Sequence, residues 1–185
     1  MLETVLEAEG QEVLNARGWR IATPTGPAPV TSAGPPPPPI PAEQPAPAFP
    51  GAYMTGYLEA IDWRYIAGGG FDIPGPARVW ARSKIPLIPG EETSPMCRAL
   101  LIADSGSGVS AALDPVKFLF INVDLTVVLP RDPEGEWLML DAATTIGAQG
   151  TGLAQTALSD VTGQCGSAMQ TLLVAPRAGQ PVLRR

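Results

Sequence analysis

The sequence predicts an α+β fold in which antiparallel strands surround a single helix. Segments with period-two alternation fill most of the second half of the chain, and their short connections require antiparallel neighbours. Between them lies one segment with helical apolar spacing, which begins at a Ser-Pro pair suited to the start of a helix. Because this helix is so apolar, we expect the sheet to wrap it and make it the most buried element.

Residues 1–22 are predicted to form a β-hairpin, since apolar residues occur on both sides of a turn at residues 8–11. An isolated two-stranded hairpin is marginal in water. We therefore interpret residues 1–22 as the remnant terminal hairpin of a preceding domain.

Residues 23–50 are predicted to be a proline-rich linker. They hold twelve of the 22 prolines, five of them consecutive from Pro35 to Pro39, and their one charged residue is Glu43. Such a run favours an extended polyproline II spacer. An SH3-type ligand is the alternative interpretation, but those ligands usually carry a flanking basic residue. The domain itself is then assigned to residues 51–177, followed by a tail at 178–185.

Within residues 51–177, the clearest strand is the segment from Leu119 to Leu129, where every odd position is apolar. The helix, predicted at 94–103, is followed by glycines that end or loosen it. We predict strands at 57–67, 78–88, 118–129, 136–147, 152–159 and 165–175.

Composition excludes several classes of function. The chain has no histidine, so it can build neither a Ser-His-Asp triad nor a histidine-ligated zinc site. Its net charge of −6 and the absence of a basic stripe argue against nucleic-acid binding. Cys97 and Cys165 lie among apolar residues and are interpreted as buried free thiols. With no signal peptide and no long apolar run, we predict a cytoplasmic protein without membrane insertion.

Five short segments follow one another through residues 51–177: Gly90–Pro95, Ala103–Gly106, Phe120–Thr126, Glu136–Leu138 and Ala168–Leu173. Together they resemble the C-terminal half of acyl-CoA thioesterase II-like proteins. The resemblance implies the hot-dog fold, an antiparallel sheet wrapped around a central helix, present there as two tandem repeats. It also implies that residues 1–22 end a truncated first repeat and that residues 23–50 join it to the second.

The resemblance further implies a catalytic site in which an Asp, a hydroxyl residue and a Gln position one water. By position these are Asp104, Asn122 and Gln170, with an amide at 122 where the family has a hydroxyl. From the residues alone, Asp104 could instead serve as a turn residue, and Asn122 could bond only to a neighbour. Asp124, on the same strand face as Asn122, is the reserve carboxylate.

The function implied by the resemblance is hydrolysis of acyl-CoA to free acid and coenzyme A. The alternative is a non-catalytic acyl-binding or assembly half of a double hot-dog protein. Hydratase chemistry on this fold generally relies on a histidine, which is absent. We expect acyl-CoA as the substrate, no cofactor or metal, and a homo-oligomer or a paired hot-dog repeat that covers the exposed sheet edges. The sequence does not choose among the cations available for the phosphates of coenzyme A: Arg64, Arg78, Arg82, Lys84, Arg98 and Arg131.

Overall fold

The computed structural model describes residues 1–22, 25–26, 29–31, 35–45, 56–69 and 71–177. The chain divides into two compact units, Met1–Ser32 and Ala33–Arg185. The first unit contains the predicted hairpin, formed by antiparallel strands β1 (Leu2–Ala8) and β2 (Gln11–Gly18). Its two turn residues have positive φ, as the tight turn of a β-hairpin requires. The origin of this hairpin in a preceding repeat stays a prediction.

The second unit is built on an antiparallel sheet, with seven strands among its described residues. Their order is β3-β4-β7-β8-β9-β5, and the short β6 also pairs with β9. Long, directly connected strands such as β8 and β9 pair along nearly their whole length, which the predicted short turns require. The strands are β3 (Ile61–Ala67), β4 (Ala77–Ser83), β5 (Phe118–Asn122), β6 (Thr126–Val128), β7 (Leu138–Ile146), β8 (Thr151–Asp160) and β9 (Gly163–Pro176).

Three helices accompany this sheet in the described part of the chain: α1 (Tyr57–Ala60), α2 (Pro95–Ala103) and α3 (Gly106–Val109). Helix α2 begins as predicted, because the Ser94 hydroxyl accepts a hydrogen bond from Cys97 N at 3.2 Å and a proline follows Ser94. Asp104 ends α2, and the chain turns at once into α3. None of these helices has the length and apolar character needed to cross a bilayer.

The expectation that α2 is the most buried element is wrong. Only Ala99, Ile102 and Ala103 of its nine residues are buried, and Leu100 is 40% exposed. Strand β4 is buried more completely, from Ala77 through Ala81 apart from one residue. The sheet covers one side of α2, where the buried helix residues join the hydrophobic core, and the opposite side of the helix faces outward.

Three predicted strands differ from the observed elements. The strand predicted at 57–67 begins with the turn of α1, and the one predicted at 78–88 ends at residue 83. The strand predicted at 118–129 is split into β5 and β6 by a break at residues 123–125. In this break the Asp124 carboxylate accepts hydrogen bonds from Thr171 N at 2.7 Å and Thr171 Oγ1 at 3.0 Å. The Asp124 side chain thus takes the place of a backbone acceptor for Thr171 N, and β5 ends at Asn122.

Part of the proline-rich segment packs against the sheet. Trp80 Nε1 donates a hydrogen bond to Pro38 O at 3.1 Å, and Arg64 Nη1 donates to Pro41 O at 3.1 Å. The side-chain amide of Gln44 exchanges two hydrogen bonds with the backbone of Tyr65, at 2.9 and 2.8 Å. Residues 38–44 therefore lie along β3 and β4, where Trp80 is 1% exposed. The assignment of residues 23–50 to a linker stays a prediction.

Candidate active site

Three elements bring Asp104, Asn122 and Gln170 together: the end of α2, the end of β5 and the middle of β9. Asn122 Nδ2 donates a hydrogen bond to Asp104 Oδ1 at 2.9 Å, and Gln170 Nε2 lies 3.2 Å from the same oxygen. The three residues named from the sequence are therefore direct neighbours.

Gln170 is held at both ends of its amide. Its Nε2 also donates to the backbone oxygen of Asp104 at 2.9 Å, and its Oε1 accepts from Ser107 N at 2.9 Å. The residue is 1% exposed, because the even positions of this part of β9 face the core. A buried amide needs such partners, and these fix its orientation and tie β9 to the α2–α3 junction.

The two oxygens of the Asp104 carboxylate have different surroundings. Oδ1 receives both amides, whereas Oδ2 receives no hydrogen bond from any residue that the structure describes. Asp104 is also on the exposed side of the cluster. The carboxylate is therefore oriented through one oxygen while the other is open to a water.

Tyr57 supports the turn that carries Asp104. Its hydroxyl donates to Leu101 O at 2.8 Å, and it lies 2.7 Å from Ser105 Oγ, which can donate in return. Burial raises the pKa of Tyr57 to about 12, against the hydrogen bond to Ser105, and the negative charge of Asp104 adds to the rise. The phenol is thus neutral at physiological pH, and its hydrogen bonds to Leu101 and Ser105 stabilise the junction between α2 and α3. Sequence reasoning missed this residue, and no local signal marks it.

An apolar pocket of about 180 Å³ adjoins the cluster. Ser107, whose N–H binds Gln170, is in its wall, and so is Ile121, the neighbour of Asn122 in β5. The remaining wall is dominated by the aromatic rings of Phe71, Phe118 and Phe120. The polar cluster therefore lies at the side of a pocket suited to an apolar group.

The reserve carboxylate, Asp124, lies outside the cluster. Both of its oxygens are used by Thr171 at the break between β5 and β6. Cys165 is not a candidate nucleophile either, because burial raises the pKa of its thiol to about 11. Within the described residues, no group of His, Cys, Asp and Glu side chains is arranged to hold a metal ion.

Most of the cations considered for the phosphates of coenzyme A are engaged elsewhere. Arg64 and Arg82 share Asp62 and lie over the ring of Trp137, at 5.0 and 4.7 Å from its centroid. Three of the others have partners of their own among the described residues. Arg78 pairs with Asp141, Arg98 binds the backbone oxygens of Thr93 and Gly135, and Arg131 pairs with Asp160. No residue is thereby singled out for coenzyme A.

The antiparallel sheet packed on one side by α2 and α3 is the architecture of a hot-dog protein, with a polar cluster at the end of α2. Residues 33–174 match the family model described as the acyl-CoA thioesterase C-terminal domain, and the chain belongs to this family. This confirms the family and the fold that the sequence predicted.

Two solved structures with TM-scores of at least 0.50 show the same fold at low sequence identity. A hot-dog protein from Alicyclobacillus acidocaldarius is 16% identical with a TM-score of 0.60, covering 97% of this chain and 67% of that one. A conserved protein from Pseudomonas aeruginosa is 10% identical with a TM-score of 0.50, covering 65% and 94%. An acyl-CoA thioesterase II from Mycobacterium marinum is 19% identical with a TM-score of 0.47. That match covers 76% of this chain, which spans 60% of the length of the Mycobacterium marinum protein. No curated protein matches the sequence.

Proposed function

We propose that this protein hydrolyses acyl-CoA thioesters to a free acid and coenzyme A, using a water positioned by Asp104, Asn122 and Gln170. The observation that carries the proposal is the asymmetry of the Asp104 carboxylate. Two amides hold Oδ1, and Oδ2 is open on the side from which a water can approach. Family membership supports the reaction class.

In the proposed reaction, Asp104 Oδ2 accepts a proton from the water while the water oxygen bonds to the thioester carbonyl carbon. The carbon–sulfur bond then breaks, and the coenzyme A thiolate takes up a proton. Asn122 Nδ2 has two hydrogens, and its second one has no acceptor among the described residues. We assign this N–H to the developing negative charge on the carbonyl oxygen. An amide at 122 thus orients Asp104 as a hydroxyl would and adds a second donor.

The test is Asp104→Asn in the full chain, assayed with acyl-CoA and a reagent that traps the released thiol. Losing the general base is expected to lower turnover about 10²–10⁴-fold. Asp124→Asn is the matched control, because this nearby carboxylate binds Thr171 instead of the cluster. Equal activity in the wild type and Asp104→Asn would refute the proposed role of Asp104.

The second candidate is a non-catalytic acyl-binding or assembly half of a double hot-dog protein. The amide at position 122 favours it, because the family that the sequence resembles has a hydroxyl there. The two candidates differ in their response to Asn122→Thr. For a hydrolase that uses the second N–H of Asn122, this change lowers turnover. A wild-type protein that binds acyl-CoA without releasing thiol, and that gains activity with Asn122→Thr, would establish the second candidate.

We also propose that the protein is cytoplasmic, acts in lipid metabolism, and assembles as a homo-oligomer or with a paired hot-dog repeat. Support for assembly comes from apolar side chains exposed around β5 and β9: Ile121 at 52%, Val123 at 65% and Leu173 at 52%. Exposed apolar residues gathered on adjacent strands are typical of a surface that another protein covers. Light scattering at tens of micromolar tests this, and a stable monomer would contradict it.

A further inference from the structure

The apolar pocket beside the cluster has a cation in its wall. Arg177 and Pro115 both line the pocket, and Arg177 Nε donates a hydrogen bond to Pro115 O at 2.7 Å. The backbone N–H of Arg177 also binds Lys117 O, at 2.9 Å. One nitrogen of the guanidinium is therefore held at the pocket wall. Arg177 is exposed, and its two Nη groups have no hydrogen-bond acceptor in the part of the chain that the structure describes.

Strand β5 connects this cation to the reactive cluster. Its first residue, Phe118, pairs with Pro176, next to Arg177, and its last residue, Asn122, contacts Asp104. The four residue steps from Phe118 to Asn122 span about 13 Å of extended strand. The pocket is lined by residues of β5 from Phe118 to Ile121, so it lies along the strand that connects Arg177 to the neighbour of Asp104.

The volume of the pocket indicates how large an acyl group it can surround. A cavity of about 150 Å³ holds one benzene molecule, which has six carbon atoms. The pocket here, at about 180 Å³, is only slightly larger. A chain of about six carbons matches this volume, and Arg177 is part of the wall that would surround it.

We propose that the acyl group preferred at this site is a short dicarboxylic acid, of about six carbons, whose terminal carboxylate is bound by Arg177. This inference rests on the proposed thioesterase function. The guanidinium presents two N–H donors in the planar arrangement that matches a carboxylate. The three phenylalanine rings contact the methylene groups between the two ends, and the thioester carbonyl lies beside Asp104.

The reaction is the same hydrolysis. The water oxygen bonds to the thioester carbon while one proton of the water passes to Asp104. The bond to sulfur then breaks, and the thiolate takes up that proton, which returns Asp104 to its carboxylate form. The product is then the free dicarboxylic acid, and no oxidant or reductant is required. Arg177 takes no part in bond breaking, and it determines specificity by binding the terminal carboxylate.

Adipyl-CoA and hexanoyl-CoA form the matched test pair, because their acyl chains have equal length and only adipyl-CoA carries the terminal carboxylate. We expect the wild type to have the higher kcat/KM for adipyl-CoA. Arg177→Gln is expected to lower that kcat/KM about tenfold or more, which is typical for a lost charge-assisted hydrogen bond, and to lower the kcat/KM for hexanoyl-CoA far less. Lys117→Gln is the control, since Lys117 pairs with Asp114.

A measurement of binding separates this inference from the proposed function. Direct binding of adipate and of 1-hexanol, which has no carboxylate, can be measured by NMR without catalysis. Adipate binding that is lost in Arg177→Gln supports the inference even if the protein hydrolyses neither thioester. Equal kcat/KM for both thioesters in the wild type, or adipate binding unaffected by Arg177→Gln, overturns the inference and leaves the thioesterase proposal standing.

Discussion

Gly106 packs so closely against Gln170 that a Cβ atom at position 106 would lie 3.2 Å from Gln170 Oε1. The same Cβ would clash with Thr156 Oγ1, and both neighbours are buried. The first residue of α3 must therefore be a glycine for Ser107 N to reach Gln170. This contact sets the position of the amide that binds Asp104.

We predict that Gly106→Ala disrupts the cluster. The added methyl group forces α3 away from β8 and β9, which lengthens the bond between Ser107 N and Gln170 Oε1. Overpacking of this kind typically costs about 1–3 kcal/mol of unfolding free energy, and we expect thioester turnover to fall about tenfold or more through misplaced reacting groups.

Chemical denaturation and the thiol-release assay measure the two effects. Ser107→Ala is the control, because it changes the adjacent residue of α3 and keeps the backbone N–H that binds Gln170. Wild-type stability together with wild-type turnover in Gly106→Ala would show that the close approach of α3 is not required.

The site could be predicted from the sequence only in part. Asp104, Asn122 and Gln170 were named because their segments resemble a family, although 66 residues separate the first from the last. The requirement for glycine at 106 arises from contact with two distant strands, so no local pattern reveals it. The hydroxyl of Tyr57 acts on the α2–α3 junction across 48 residues, for the same reason.

Strands were predicted well wherever alternation and short turns coincide, as in β7, β8 and β9. The break between β5 and β6 was missed because the odd positions stay apolar through Val123 and Leu125. The periodicity therefore hides a site where Asp124 replaces a backbone partner. The burial of α2 was overestimated, since apolar composition does not tell whether the sheet covers one side of a helix or both.

Gln44 acts on the sheet as a short piece of an edge strand, and we predict that Gln44→Ala weakens this contact. The substitution removes both hydrogen bonds to the backbone of Tyr65. Loss of bonds to partly buried backbone groups typically costs about 1–3 kcal/mol. We expect faster amide hydrogen exchange at Tyr65 together with a lower free energy of unfolding.

Glu43→Ala is the matched control, because Glu43 is an exposed neighbour of Gln44. Hydrogen exchange read by NMR reports the Tyr65 amide directly. If its protection is the same in Gln44→Ala and the wild type, residues 38–44 do not protect the edge of β3.

Asp160 carries the buried charge on which the stability of the β8–β9 turn depends. Its side chain is fully buried and forms a bidentate ion pair with Arg131, whose Nη2 lies 2.8 Å from Asp160 Oδ1. Burial raises the pKa of Asp160, but the hydrogen bonds from Arg131, Glu134 N and Thr162 outweigh it and hold the pKa well below its ordinary value. The charged form is therefore the one that the fold stabilises.

The direction of the pH dependence follows from this lowered pKa. An Asp whose pKa is lower in the folded state contributes its stability above its unfolded-state pKa, near pH 4. That contribution is lost as the pH falls toward the pKa of the folded state. We predict that the free energy of unfolding decreases as the pH falls below about 4, partly through protonation of Asp160.

Asp160→Asn should remove this part of the pH dependence. At pH 7 it leaves Arg131 half-buried without its counter-ion, and breaking a buried pair by removing one partner typically costs about 3–5 kcal/mol. Urea denaturation at neutral and acidic pH measures the difference, with the exposed neighbour Asp132→Asn as the control. The difference in free energy of unfolding between the wild type and Asp160→Asn is expected to decrease in acid, because Asp160 of the wild type becomes protonated. If this difference in free energy stays constant across the pH range, Asp160 is not stabilised as a carboxylate.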